Sequence, residues 1–152
     1  MIFSNFVSEI WKLLFTHSFS INLSLSPSSF PSGTLYFVIS MSAFIGIIGF
    51  DFVSNYIDIS KKNVLNSIGN NQIILFNADA SEYILEDKSY FIFMFNPFDG
   101  FIMRQFIQNN YENLVKNKSV IAYSNYNELN TIKNFTNNIQ TIDQYKLAVC
   151  YF

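Results

Sequence analysis

Few side chains here can act as a chemical catalyst. The chain has one cysteine, Cys150, and one histidine, His17. That inventory excludes an intramolecular disulfide framework and a Cys/His zinc site, and it leaves little room for a His-based triad. The residues of interest are short polar clusters, each set directly after an apolar run: Asp51, Asn77-Ala78-Asp79-Ala80, Asn96-Pro97-Phe98-Asp99 and Asn125-Tyr126. Carboxylates and amide oxygens in such places accept hydrogen bonds from hydroxyls and amines. They suit a reaction driven by alignment and desolvation more than by a nucleophile. Each cluster also has a plain structural role. Asp is a common helix N-cap, and Asn-Pro and Asp-Gly are turn formers.

Elements that would position these clusters follow from the apolar spacing. Phe3, Phe6, Val7, Ile10, Trp11 and Leu14 recur at helical spacing, which predicts an amphipathic helix over 4–15. Ile21, Leu23 and Leu25 alternate as in a strand, before the loop at 26–33. Further helices are expected at 35–43, 56–68, 81–85, 101–116 and 128–135, the second stopped by Gly69-Asn70-Asn71. Strands are expected at 45–50, 72–76, 90–95 and 119–124, with a closing antiparallel hairpin around 139–142 and 146–152. The run YFIFMF at 90–95 has the unbroken apolar character of a central parallel strand. Alternating strands and helices imply an α/β fold, a mostly parallel sheet with helices on both faces. Such folds place sites at the carboxyl ends of strands, where the polar clusters lie.

In that order the pieces IIGFDF (47–52), Lys62-Asn63, FNADA (76–80) and MFNPF (94–98) resemble the class I S-adenosylmethionine-dependent methyltransferase family over roughly 45–152. The resemblance implies a Rossmann-like three-layer sandwich with an antiparallel last strand. It also implies S-adenosylmethionine as cofactor and a nitrogen atom as methyl acceptor. Under it, Asp51 accepts hydrogen bonds from both ribose hydroxyls, and Asp79 lies near the adenine amine with the Ala80 backbone beside it. Gly33 and Asn77 complete the cofactor set. The Asn96 oxygen and a backbone carbonyl accept from the target amine, with Pro97 and Phe98 packing the target group. The sequence departs from the family at its glycine-rich loop. The matching stretch SSFPSG at 28–33 has Gly33 as its only glycine and lacks the leading acid, with Pro27 and Pro31 nearby.

Composition bounds the alternatives. Of 152 residues half are apolar and 13% are charged, with a net charge of −2 and a pI near 5.2. Disorder is therefore not expected, and neither is an electrostatic nucleic-acid surface. The 19 asparagines and their chance glycosylation patterns carry no functional weight. No Asp, Glu, Lys or Arg falls between Leu13 and Phe50. The organisation expected is a helix within 1–19 and a methyltransferase-like domain at 20–152, of which 21–44 is the diverged first strand and loop. Three readings stand. The first is a cytoplasmic methyltransferase with a small-molecule cofactor and an amine acceptor, either protein or small molecule. The second is a non-catalytic relic serving as a binding module. The third is a protein anchored in a membrane through 34–50, at 17 uncharged residues a short span.

Overall fold

A computed structural model of the chain describes residues 36–40, 46–65 and 73–152. The elements in order are strand β1 (Tyr36–Ser40), strand β2 (Gly46–Asp51), helix α1 (Ser54–Leu65), strand β3 (Ile73–Asn77) and strand β4 (Tyr90–Phe95). Helix α2 (Gly100–Lys116), strand β5 (Val120–Ser124), the short helix α3 (Leu129–Ile132), strand β6 (Ile139–Ile142) and strand β7 (Leu147–Tyr151) follow. The protein is α/β, with a parallel pair, β2 and β3, and a mixed four-stranded set, β4, β5, β7 and β6. Strand β1 pairs with both β2 and β4, giving the order β3-β2-β1-β4-β5-β7-β6.

The direction of β1 is the main departure from expectation. Residues 35–43 were expected to be helical, yet Tyr36–Ser40 is a strand and runs antiparallel to both neighbours. Two local causes agree. Tyr36, Phe37, Val38 and Ile39 are aromatic or β-branched, types that suit a pleated surface. Only five residues separate Ser40 from Gly46, and a parallel crossover needs about a dozen. The stretch 34–50, a possible membrane span by composition, thus contains two strands. Among the described residues no helix is long and apolar enough to cross a membrane.

A reversed β1 leaves its neighbours aligned with one another. Strand β2 is antiparallel to β1, and β1 is antiparallel to β4, so β2 and β4 run the same way. Strands β3 and β5 join them through parallel pairing, while β7 runs antiparallel to β5 as the closing strand. The carboxyl ends of β2, β3, β4 and β5 consequently share one edge of the sheet.

Helix α2 covers the larger core. Asp99 caps it, with Oδ1 accepting from the N–H groups of Phe101 and Ile102 at 3.0 Å each. Asp99-Gly100, readable as a turn, therefore starts a helix. Met103, Phe106, Ile107, Asn110 and Leu114 are its buried residues, one stripe at helical spacing. Facing them are Tyr90, Ile92 and Met94 of β4, Ile121 and Tyr123 of β5, and Ala148 and Cys150 of β7. Each fully buried large apolar side chain of that stripe contributes about 1.5–3 kcal/mol. Strand β4 alternates in burial, with Phe95 55% exposed, so it is not uniformly buried as its composition suggests.

Two further expectations change. Residues 81–85 form turns and open chain, not a helix. Only Leu129–Ile132 of the stretch 128–135 is α-helical, and turns continue it to Phe135. The N-terminal helix at 4–15, the strand at 21–25, the loop with Gly33 and the stop at 69–71 lie outside the described residues.

Candidate functional site

Each polar cluster after β2, β3, β4 and β5 falls on the shared carboxyl edge. Asp51 closes β2 and is 4% exposed. Its Oδ1 accepts the Val53 N–H at 2.7 Å, and among the described residues this is the carboxylate's one hydrogen bond. Burial raises the pKa of this carboxyl above its ordinary value, and the Val53 N–H partly opposes the rise. An acid held this way is desolvated and retains acceptor capacity on its second oxygen.

The end of β3 is tied to the end of β2. The Asp51 carbonyl accepts from Asn77 Nδ2 at 2.7 Å and from the Ala78 N–H at 3.1 Å. The Asn77 amide nitrogen is thus engaged in joining two strand ends. Asp79 lies just beyond and is exposed. Its Oδ1 accepts from the Ser81 hydroxyl at 2.7 Å and the Ser81 N–H at 2.8 Å, and these bonds hold its carboxyl below the ordinary range. It caps a turn here, closed by Glu82 N–H to the Asp79 carbonyl, and there is no helix for it to start. Ala80 is 5% exposed and belongs to the core.

Residues 81–87 are held from outside by the asparagines of α2. Asn110, 1% exposed, accepts the Leu85 N–H at 2.7 Å and donates to the carbonyls of Tyr83 and Phe106 at 2.8 Å each. Asn109 donates to the Ser81 carbonyl at 2.7 Å, and Asn113 to the carbonyls of Leu85 and Glu86. Lys116 and Asn117 grip the Asp87 carboxylate at 2.6 and 2.9 Å. These bonds supply the partners that a helix would have provided, which explains why none forms at 81–85. Beneath the segment, Tyr83 stacks on Phe50 with ring centroids 4.6 Å apart and meets Phe76 at 5.4 Å.

Asn96 follows β4 with a left-handed φ of 41°, a conformation Asn tolerates better than most residues. Asn125 takes φ 52° after the neighbouring β5. The Asn96 N–H donates to the Ser124 carbonyl at 2.9 Å, fixing the exit from β4. Its Oδ1 accepts from the Tyr123 hydroxyl at 3.0 Å, and that hydroxyl accepts the Glu128 N–H at 3.1 Å. Pro97 and Phe98 are half-buried, and the Phe98 ring lies 6.4 Å from that of Phe106 at 38°. Gly100 permits a close approach at this corner. A Cβ there would come within 2.7 Å of Glu128 Oε2 and 3.1 Å of Thr131 Oγ1. The Glu128 carboxylate thereby rests against the first turn of α2, where the helix dipole favours an anion.

Of the residues singled out in sequence, Asp51, Asp79 and Asn96 stand at three carboxyl ends of one edge, in the spatial order Asp79, Asp51, Asn96 with β1 between the last two. Gly33 and His17 lie outside the described residues. Tyr123, Asn110 and Glu128 escaped the sequence reading. Tyr123 looked like one more apolar strand residue, and Asn110 like part of a compositional bias. Cys150 is fully buried and its thiol is pushed up to about 12 by desolvation, so it supplies no thiolate. Among the described residues no group of three or more His, Cys, Asp and Glu is placed to hold a metal ion. No family model, curated protein or solved structure matches the chain.

Proposed function

We propose that the chain is a Rossmann-like domain of the class I methyltransferase type, acting in the cytoplasm on a nitrogen acceptor. The observation that carries this reading is the placement of Asp51, Asp79 and Asn96 at the carboxyl ends of β2, β3 and β4, along one edge of the sheet. S-adenosylmethionine, when bound, supplies a methyl group activated on a sulfonium. Asp51 fits the ribose end of such a cofactor. It is a desolvated carboxylate with one oxygen committed to Val53 and one available to a diol. Asp79 and the Ala80 backbone would meet the adenine, the Asp79 carboxylate oriented by Ser81. At the other end of the edge, Asn96 would accept from the acceptor amine through Oδ1, while Pro97 and Phe98 exclude water. No acid or base of unusual strength is required of the chain, because alignment of a nitrogen lone pair with the methyl carbon provides most of the catalysis.

The reversal of β1 favours a second reading, a relic that keeps a nucleoside pocket without methyl transfer. In the family the glycine loop leaves the carboxyl end of a parallel first strand. Here β1 begins at this edge, with Tyr36 opposite Phe50, and ends away from it. Titration calorimetry of the full chain with S-adenosylhomocysteine and, separately, adenosine decides between the two. The methyltransferase reading expects tighter binding of S-adenosylhomocysteine than of adenosine, and Asp51→Ala should weaken both by about tenfold or more. Equal affinity for the two ligands selects the relic. Absence of binding to either rejects both.

A further inference from the structure

The Tyr123 hydroxyl is the least expected polar group on the carboxyl edge. The residue is 0% exposed, and its ring belongs to the core beside Met94 and Ile121. It stands in β5 directly across from Met94, two positions before Asn96 on the neighbouring strand. A phenylalanine would fill that space equally well. The hydroxyl instead reaches the edge and makes two hydrogen bonds, to Asn96 Oδ1 and from the Glu128 N–H.

The directions of these bonds are fixed by chemistry. A backbone N–H can only donate, so the phenol oxygen accepts at Glu128. Its single proton then has one neighbouring acceptor, the side-chain oxygen of Asn96. Were the Asn96 amide turned over, its NH2 would oppose the phenol oxygen and the buried proton would lose its partner. The network therefore sets which end of the Asn96 amide faces the core. Burial is the larger influence on the phenol and pushes its pKa up, against the opposing Glu128 N–H, so it keeps its proton. The Glu128 carboxylate in turn lies where a side chain at position 100 would clash with it.

We infer that Tyr123 is a positioning residue for Asn96. Its hydroxyl locks the amide so that one lone pair of Oδ1 is spent on the core and the other, with the NH2 group, is presented to the acceptor. This deepens the proposed methyltransferase reading and rests on it for its purpose, but not for its geometry. A left-handed Asn ahead of a proline has a fixed main chain and a side chain still free to turn about χ2. The tyrosine removes that freedom before any substrate arrives.

The test needs no substrate. In the 15N-labelled full chain, the side-chain amide of Asn96 is assigned by its loss in Asn96→Asp. In Tyr123→Phe its order parameter should fall to the flexible range, below roughly 0.6, while the methyl signals of Met103 and Leu114 stay in place. An unchanged Asn96 amide overturns the inference. So does a shift of Asn96 together with those methyls, which would make Tyr123 a packing residue only. Should Tyr123→Phe not fold, 3-fluorotyrosine placed at 123 keeps the shape and donates more strongly. The Asn96 amide signal should then move without loss of order, and no movement again overturns the inference. S-adenosylhomocysteine calorimetry on the same variant separates the two claims. Unchanged affinity is expected, since Asp51 and Asp79 are untouched, and a loss of about tenfold or more would show a wider disturbance and count against a role confined to Asn96. If the unmodified chain does not bind the ligand, the functional reading falls and the amide measurement still decides the positioning claim.

Discussion

Asp51 and Asp79 end neighbouring parallel strands, and their surroundings are opposite. Asp51 is nearly enclosed, takes one main-chain hydrogen bond, and its carboxyl is harder to ionise than a free one. Asp79 is in solvent, takes two hydrogen bonds from Ser81, and is easier to ionise. The second is an ordinary capping residue whose two bonds both end on Oδ1, with the carboxylate otherwise in solvent. The first costs the fold something and is incompletely satisfied by it. A carboxylate that the fold desolvates and leaves with spare acceptor capacity is better explained by a ligand than by stability. The comparison therefore gives Asp51 the stronger claim to a binding role.

The largest way to break this comparison is to release the segment on which Asp79's turn depends. Asn110→Ala leaves the Leu85 N–H and the Tyr83 carbonyl without their partners, and should destabilise by about 3 kcal/mol in urea denaturation. The effect is local in origin, so the Leu85 amide should lose hydrogen-exchange protection more than Val53, which belongs to the Asp51 end.

An intermediate effect comes from neutralising Asp51. Its folded pKa lies above its unfolded one, so the contribution of this group to stability is fully present below the unfolded value, 3.8. Stability is lost as pH rises from there through the raised folded value and stays lower beyond it. Asp51→Asn keeps an acceptor for Val53 without the charge. It should raise the denaturation midpoint at pH 7, leave it unchanged near pH 3, and weaken nucleoside binding. A lower midpoint at pH 7 would remove the contrast between the two acids.

The smallest effect belongs to Asp79. Its depressed pKa contributes stability above 3.8 that is lost as pH falls through the folded value. Ser81→Ala removes the hydroxyl, the first cause of the depression. The Asp79 carboxyl, followed by NMR titration, should move up toward 3.8 with little change in overall stability.

Much of the framework was legible. Apolar runs bounded by polar clusters marked β3, β4 and β5, and the tail pattern marked the β6–β7 hairpin. The helical stripe at 101–116 marked α2, whereas Asp99-Gly100 read as a turn and proved to be its cap. Asp79 was readable as a cap, but of a helix at 81–85 that does not form, and it closes a turn through Ser81 instead. The misreadings share one physical cause. Tyr36–Ser40 is a strand because the sheet offers it two partners and the link to β2 is too short for a crossover. Residues 81–85 lack a helix because asparagines some 25 to 28 positions later supply their hydrogen bonds. Tyr123 and Asn96 meet only because β4 and β5 are paired in one register.

What the sequence determined alone is whatever depends on near neighbours: strand and helix periodicity, the caps at Asp99 and Asp79, the αL tolerance of Asn96, and the lack of a reactive thiol or imidazole pair. Only the tertiary structure decided the direction of β1, the burial that sets Asp51 apart from Asp79, and the contact that fixes the Asn96 amide. Those depend on which strands lie side by side, and that choice belongs to the packing of the whole sheet, not to any window of the chain.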